Sequence, residues 1–189
     1  LVVINWARKP YKKAMTALIQ TCTQNGIPVL FLPPASTDLF RPFGLQMTPT
    51  EIKNQSLKIA QHNITTGIYQ IAAKNYAITA AFKPATVEPG ITAQWTPIIL
   101  NGTNAIVVAG KINNARAAAI APYLYADPAY DNNKLLENTI RWLLGMPTAK
   151  KEAQWLPAPI KNLTQTIQQL QQQKQNLTKE IEQLQQLRS

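Results

Sequence analysis

The C-terminal thirty residues constrain this chain more than any other stretch. With Ile160 placed at heptad position a, the a positions are Ile160, Ile167, Lys174 and Ile181, and the d positions are Leu163, Leu170, Leu177 and Leu184, with glutamine-rich flanks. A sustained apolar period of 3.5 residues specifies a left-handed supercoil better than it fits a flat sheet face. β-Branched Ile at a with Leu at d favours a parallel pair, while Lys174 at an a position costs stability and restricts register and oligomer state. A lone helix of this length is marginal in water, so the seam requires a partner. That partner is a second copy of the chain, a heterologous helix engaging residues 160–187, or the helix's own domain. Ahead of it, "GMPTAKKEAQWLPAP" carries three prolines and no periodicity and reads as a linker. The expected organisation is a body over 1–145, a linker over 146–159 and a coiled-coil helix over 160–189.

The body opens with a strand-helix-strand unit. "LVVINW" is an apolar strand, Pro10 suits a first helical turn, "YKKAMTALIQTCTQNG" reads as a helix stopped at Gly26, and "IPVLFLP" is a second buried strand. Near-continuous apolar strands joined by a helix predict a parallel pair covered on both faces. Ser36 or Thr37 is expected to cap a short turn of helix through "DLFRPFG", and "LQMTPTEIKNQ" reads as a loop. "GIYQIAA", "YAITAAF", "PIILNG" and "NAIVVAG" have the length and punctuation of strands. "RAAAIAPYLYAD" then reads as a strand running into a loop. An amphipathic helix follows over 131–144, capped by Asp131, Asn132 or Asn133, with Leu135, Leu136, Ile140, Leu143 and Leu144 on its apolar stripe and Gly145 as its stop. The body is therefore α/β with a mixed sheet.

Composition limits the function classes. The formal net charge is +10, and residues 1–126 hold eleven Lys/Arg against the three acids Asp38, Glu51 and Glu88. Such a body favours anionic polymers or membrane surfaces. Its cations are dispersed except in "RKPYKK", where Arg8, Lys9, Lys12 and Lys13 are candidate anion contacts, and no aromatic-interleaved stripe signals specific nucleic-acid binding. No apolar run reaches the roughly 18 to 20 residues that cross a bilayer. The single cysteine excludes an intrachain disulfide framework and a cysteine metal cluster, and leaves the compartment open between cytoplasm and cell envelope. No metal-ligand spacing, carboxylate pair or cofactor fingerprint occurs, so no cofactor is expected. The five Asn-x-Ser/Thr sites at Asn54, Asn63, Asn101, Asn162 and Asn176 follow from the Asn- and Thr-rich composition.

The residues "HNITTGI" from His62, the strand "NAIVVAGKI" and above all "YADPAYDNNKLLENTIRWLLG" resemble the class I glutamine amidotransferase-like superfamily. The resemblance is to its non-amidotransferase branches, such as trehalose-utilisation-type domains and β-galactosidase trimerisation domains. His62, Ile64, Thr65 and Gly67 match one family pattern, with Asn63 where a proline is usual. Asn132, Leu135, Leu136, Asn138, Trp142 and Leu143 match the other. The resemblance covers about residues 1–145 and implies a flavodoxin-like three-layer α/β/α sandwich, with the family's first strand and helix expected upstream of Leu1. The amidotransferase machinery is absent from the pattern. That chemistry needs a cysteine on a sharp strand-to-helix turn and a His-x-Glu pair. Cys22 instead lies mid-helix, the only histidine is followed by Asn63 and Ile64, and Ser36 follows two prolines with no flanking glycine.

No residue set thus specifies a reaction, and no catalytic residue is assigned. The leading expectation is a non-catalytic binding or scaffolding module that assembles through its C-terminal helix. The alternatives are part of a carbohydrate-processing hydrolase whose catalytic residues lie outside this chain, and a basic module for anionic polymer or membrane. Carbohydrate is accordingly among the expected partners.

Overall fold

The computed structural model describes residues 1–5, 11–34, 38–53 and 55–147, which belong to one compact unit, Leu1–Lys150. Arg8, Lys9, Pro10, Ser36, Thr37, Asn54, most of the linker and the entire heptad seam from Ile160 to Leu184 lie outside the described residues.

The first strand, β1 (Val2–Ile4), pairs in parallel with β2 (Val29–Phe31) across helix α1 (Lys12–Gln24), as the apolar strands require. The helix ends where Gly26 takes φ +72°. There Gly26 N–H donates to the Thr23 carbonyl and Ile27 N–H to that of Cys22, the two bonds of a Schellman cap. All three residues of β2 are buried. β10 (Ala115–Ile120) lies on its other side, also parallel, with Ala117 opposite Val29 and Ala119 opposite Phe31.

From β10 the sheet becomes antiparallel. β9 (Asn104–Ile112) pairs with β10 through a two-residue turn in which Asn113 takes φ +49°, and β8 (Ala93–Asn101) pairs along the opposite edge of β9. β7 (Ile78–Val87) touches β9 at Phe82 and Ala105 and carries β3 (Phe43–Ile52) along its length. β5 (Lys58–Ile59) adds to β8, while β4 (Gln55–Ser56) and β6 (Ala72–Ala73) form a separate small ribbon. Among the described residues this is an eight-stranded mixed sheet in an α/β body. Three prolines sit within strands at positions that tolerate a missing donor: Pro49 on the edge strand β3, Pro84 in β7 beyond its single pairing with β9, and Pro97 where β8 lacks a second neighbour.

The final helix, α2 (Asn132–Leu143), is where the spacing places it. Its end is a second Schellman cap: Gly145 at φ +72° donates to the Trp142 carbonyl and Met146 N–H to that of Arg141. Leu135 and Leu143 are buried and Leu136 and Ile140 pack on the core, but Leu144 is exposed, so the stripe ends one residue earlier than its pattern implies.

Four local expectations are corrected. No helix forms through "DLFRPFG": residues 38–42 make turns closed by Arg41 N–H on the Asp38 carbonyl and Phe43 N–H on the Phe40 carbonyl, and Phe43 and Gly44 already belong to β3. "LQMTPTEIKNQ" is mostly strand, because Leu45 and Met47 alternate with exposed Gln46 and pair with β7 despite Pro49. "GIYQIAA" is mostly loop: Ile68 and Ile71 are buried, but only Ala72 and Ala73 are strand, since the Tyr69 and Gln70 amides bond to a side chain instead of a neighbouring strand. Asp131 occupies the N-cap position of α2 without a side-chain cap, its carboxylate serving those same two amides.

Candidate functional site

Two carboxylates after β10 tie distant loops together. Asp127 is fully buried. It accepts from the backbone N–H groups of Lys74 at 2.9 Å, Asn75 at 2.8 Å, Tyr76 at 3.3 Å and Ala129 at 3.0 Å, and from the Asn75 side-chain amide at 2.8 Å. Burial alone would raise its pKa, but the backbone donors of Ala129, Asn75, Lys74 and Tyr76 outweigh that and hold the carboxyl below its ordinary value. Asp131 accepts from Tyr69 N–H at 2.7 Å and Gln70 N–H at 3.2 Å, and its own N–H donates to the Gln70 carbonyl. Beside them, buried Asn132 donates to the Ala72 carbonyl at 2.9 Å. Loops separated by some fifty to sixty residues in sequence are thereby locked as one surface.

That surface is aromatic. Tyr69 is 67% exposed, Tyr130 52% and Tyr76 50%, and Lys74 holds its ammonium 5.5 Å from the centre of the Tyr130 ring. Tyr130 takes φ +53° and Tyr123, at the head of the 3-10 turn Leu124–Ala126, takes φ +67°. Left-handed backbone at non-glycine residues costs on the order of 1–3 kcal/mol each and persists only where surrounding bonds enforce it. Here the carboxylate locks enforce it next to Tyr130. Tyr125 points inward, its hydroxyl donating to the Leu32 carbonyl at 3.5 Å, and burial together with the neighbouring Tyr123 raises its pKa. The arrangement sets exposed tyrosine side chains and the Lys74 ammonium on loops whose backbone is held by the two carboxylates. Such rings combine apolar area with a polar tip at little conformational cost.

A second cluster flanks α2. Asn138, fully buried, donates to the Ile64 and Thr66 carbonyls at 3.0 Å each, anchoring the 3-10 turn Asn63–Thr65. His62 caps that turn: its Nδ1 accepts from Ile64 N–H at 3.1 Å while Thr65 Oγ1 accepts from His62 N–H at 3.0 Å. Its ring meets Trp142 edge-on at 5.3 Å, and the Arg116 guanidinium lies 5.5 Å from the Trp142 ring while donating to the Trp142 carbonyl. Burial lowers the His62 pKa, in keeping with an Nδ1 that must stay unprotonated to accept.

Of the residues singled out in the sequence, Cys22 is a buried member of the α1 core face. Lys12 pairs with Asp38 at 2.8 Å and Lys13 is exposed, so within the described part of "RKPYKK" one of two cations is paired. Among the described residues no three His, Cys, Asp or Glu side chains are placed to hold a metal, and no helix is long and apolar enough to cross a membrane. The tyrosine surface was not found by motif reading. A signal was present nonetheless, since five of the six tyrosines fall between positions 69 and 130.

No family model matches the chain, and no curated protein matches it. Among solved structures it is similar to two cytoplasmic proteins of Salmonella typhimurium. The first, STM1381 of strain LT2, is 12% identical with a TM-score of 0.42 over 68% of this chain, and the second, STM3548, is 12% identical with a TM-score of 0.39 over the same share. This chain spans 58% and 59% of the lengths of those two chains.

Proposed function

We propose that the protein is a non-catalytic binding module that presents the tyrosine-lined loop surface to a neutral carbohydrate and assembles through its C-terminal helix. One observation carries the reading: Asp127 and Asp131 spend their carboxylates on backbone amides of the loops that bear Tyr69, Tyr76 and Tyr130. A surface fixed before binding loses little entropy when a ligand docks, and exposed aromatic faces stack on the apolar faces of sugar rings. The body is proposed to be a three-layer sandwich of the glutamine amidotransferase-like kind. In support, Arg116 on one face of β10 binds α2, while Ala115, Ala117 and Ala119 on the other face are buried as well, and α1 packs against β2 and β10. His62 and Cys22 have structural employment as a turn cap and a core residue, which supports the non-catalytic reading.

The test is affinity electrophoresis in native gels containing hydroxyethyl cellulose, a neutral glucan, or heparin, a polyanion. The parent protein is expected to be retarded by the neutral polymer, and the Tyr76→Ala/Tyr130→Asn variant to lose that retardation about ten-fold or more, the loss of two stacking rings. Asn tolerates the left-handed backbone at position 130, so the variant keeps the loop conformation. Retardation by heparin alone, weakening with salt, establishes the basic-module reading instead. No retardation by either polymer rejects both.

A further inference from the structure

The only histidine of the chain closes a turn against the last helix. His62 is extended, and its Nδ1 accepts from Ile64 N–H at 3.1 Å, so in the neutral ring the proton sits on Nε2. Thr65 Oγ1 returns the bond by accepting from His62 N–H. Asn138 of α2 fixes the same turn by donating to the Ile64 and Thr66 carbonyls. Downstream, Ile68 N–H donates to the Thr65 carbonyl, and the Tyr69 and Gln70 amides donate to Asp131. The segment 62–70 is thus held at both ends, by His62 and Asn138 at one and by Asp131 at the other. Of these holds, the one at His62 is the one a proton near neutral pH can withdraw, because a proton on Nδ1 turns the acceptor into a donor facing the Ile64 donor.

We infer that His62 is an acid-sensitive latch: binding a proton at Nδ1, it gives up Ile64 N–H and raises the population in which the Asn63–Thr65 turn is released from α2. The charged groups on the surrounding elements do not offset this. On α2, Glu137 and Arg141 pair with each other at 2.8 Å, and Lys134 shares the helical stripe of Asn138 and Trp142. On β10, Arg116 is engaged with the Trp142 ring and carbonyl, and on β5, Lys58 is exposed. Among the described residues no carboxylate pairs with His62, and burial holds the ring below its ordinary value of 6.5. The open turn therefore takes the proton first, so the closed form is fully favoured above that pH and loses ground as pH falls below it. That window lies above the one in which Asp127 titrates. Release frees one end of the segment that carries Tyr69; what this does to binding rests on the function proposed above, whereas the latch itself does not.

Nuclear magnetic resonance from about pH 7 to about pH 5 reads the latch directly, because a lone histidine gives a lone imidazole signal. The His62 ring is expected to titrate below 6.5, with the Ile64 amide shift following it. Amide protection at Ile64 and Thr66, corrected for the intrinsic effect of pH on exchange, should fall about five-fold, the loss of one side-chain cap, while Val108 in β9 stays protected. His62→Asn supplies a capping oxygen that does not titrate and should keep that protection constant across the range. If the variant fails to fold, the ring titration and the exchange of the parent protein still decide. A ring that titrates at or above 6.5, protection that does not fall with pH, or the same fall in His62→Asn would overturn the proposal.

Discussion

At the scale of single residues, Asp127 shows how a buried charge becomes an organising device. An ionised carboxylate without water is stable only if its lone pairs are filled, and here four backbone N–H groups and one side-chain amide fill them. Asp127→Asn would remove the charge and replace acceptor sites with a donor facing donors. A loss of about 2–3 kcal/mol is expected in urea unfolding, with faster hydrogen exchange at Lys74, Asn75 and Tyr76. The same bonds set a pH dependence. The folded-state pKa lies below the ordinary carboxylate value near 3.8, so the unfolded chain takes up the proton first. The stabilisation is fully present above pH 4 and is lost as pH falls through the depressed folded value. Asp127→Asn should flatten that acid limb. An unchanged acid limb in the variant would show that other carboxylates govern it.

At the scale of elements, the antiparallel half of the sheet depends on close approach between β8 and β9. Gly110 on β9 stands opposite Trp95, and a Cβ built there would come within 1.8 Å of the Gln94 carbonyl oxygen, a backbone atom that cannot turn aside. Gly110→Ala should therefore shift the ladder and cost about 3 kcal/mol or more, whereas Gly102→Ala, whose Cβ meets nothing within 4 Å, should cost only its left-handed backbone strain. Equal urea midpoints for the two variants would refute the crowding argument. These elements also mark how far the sequence could be read. Both helices were legible because each ends on a glycine that closes a Schellman cap. β3 was not, because Pro49 interrupts the pattern and only its pairing with β7 makes sense of it. The tyrosine surface was hidden for a different reason: Asp127 and Asp131 act on amides some fifty to sixty positions away, and no local spacing encodes such a bond.

At the scale of the whole molecule, the two parts of the chain make separable demands. The body buries its own core, including Phe31, Phe40, Phe43 and Phe82, whereas the heptad residues from Ile160 to Leu184 have a reason to be apolar only if something covers them. If the seam pairs as proposed, Lys174 at its centre is the residue through which pairing is tuned. Lys174→Ile should strengthen association and loosen the choice of oligomer state, because the one polar seam position that penalises alternatives is gone. Leu170→Asp places a charge in the seam and should yield separate chains whose urea unfolding of the body is unchanged, since the proline-bearing stretch before Ile160 carries no periodicity that would couple the two. Sedimentation of the intact chain, both variants and a chain ending at Pro159 distinguishes the outcomes. Dimers for the intact chain, dimers mixed with higher oligomers for Lys174→Ile, and monomers for Leu170→Asp and the shortened chain are expected for self-pairing. A monomer in all four rules out self-pairing and leaves the seam to a heterologous helix or to its own domain; a body destabilised by Leu170→Asp or by the shortening then identifies the domain as its cover.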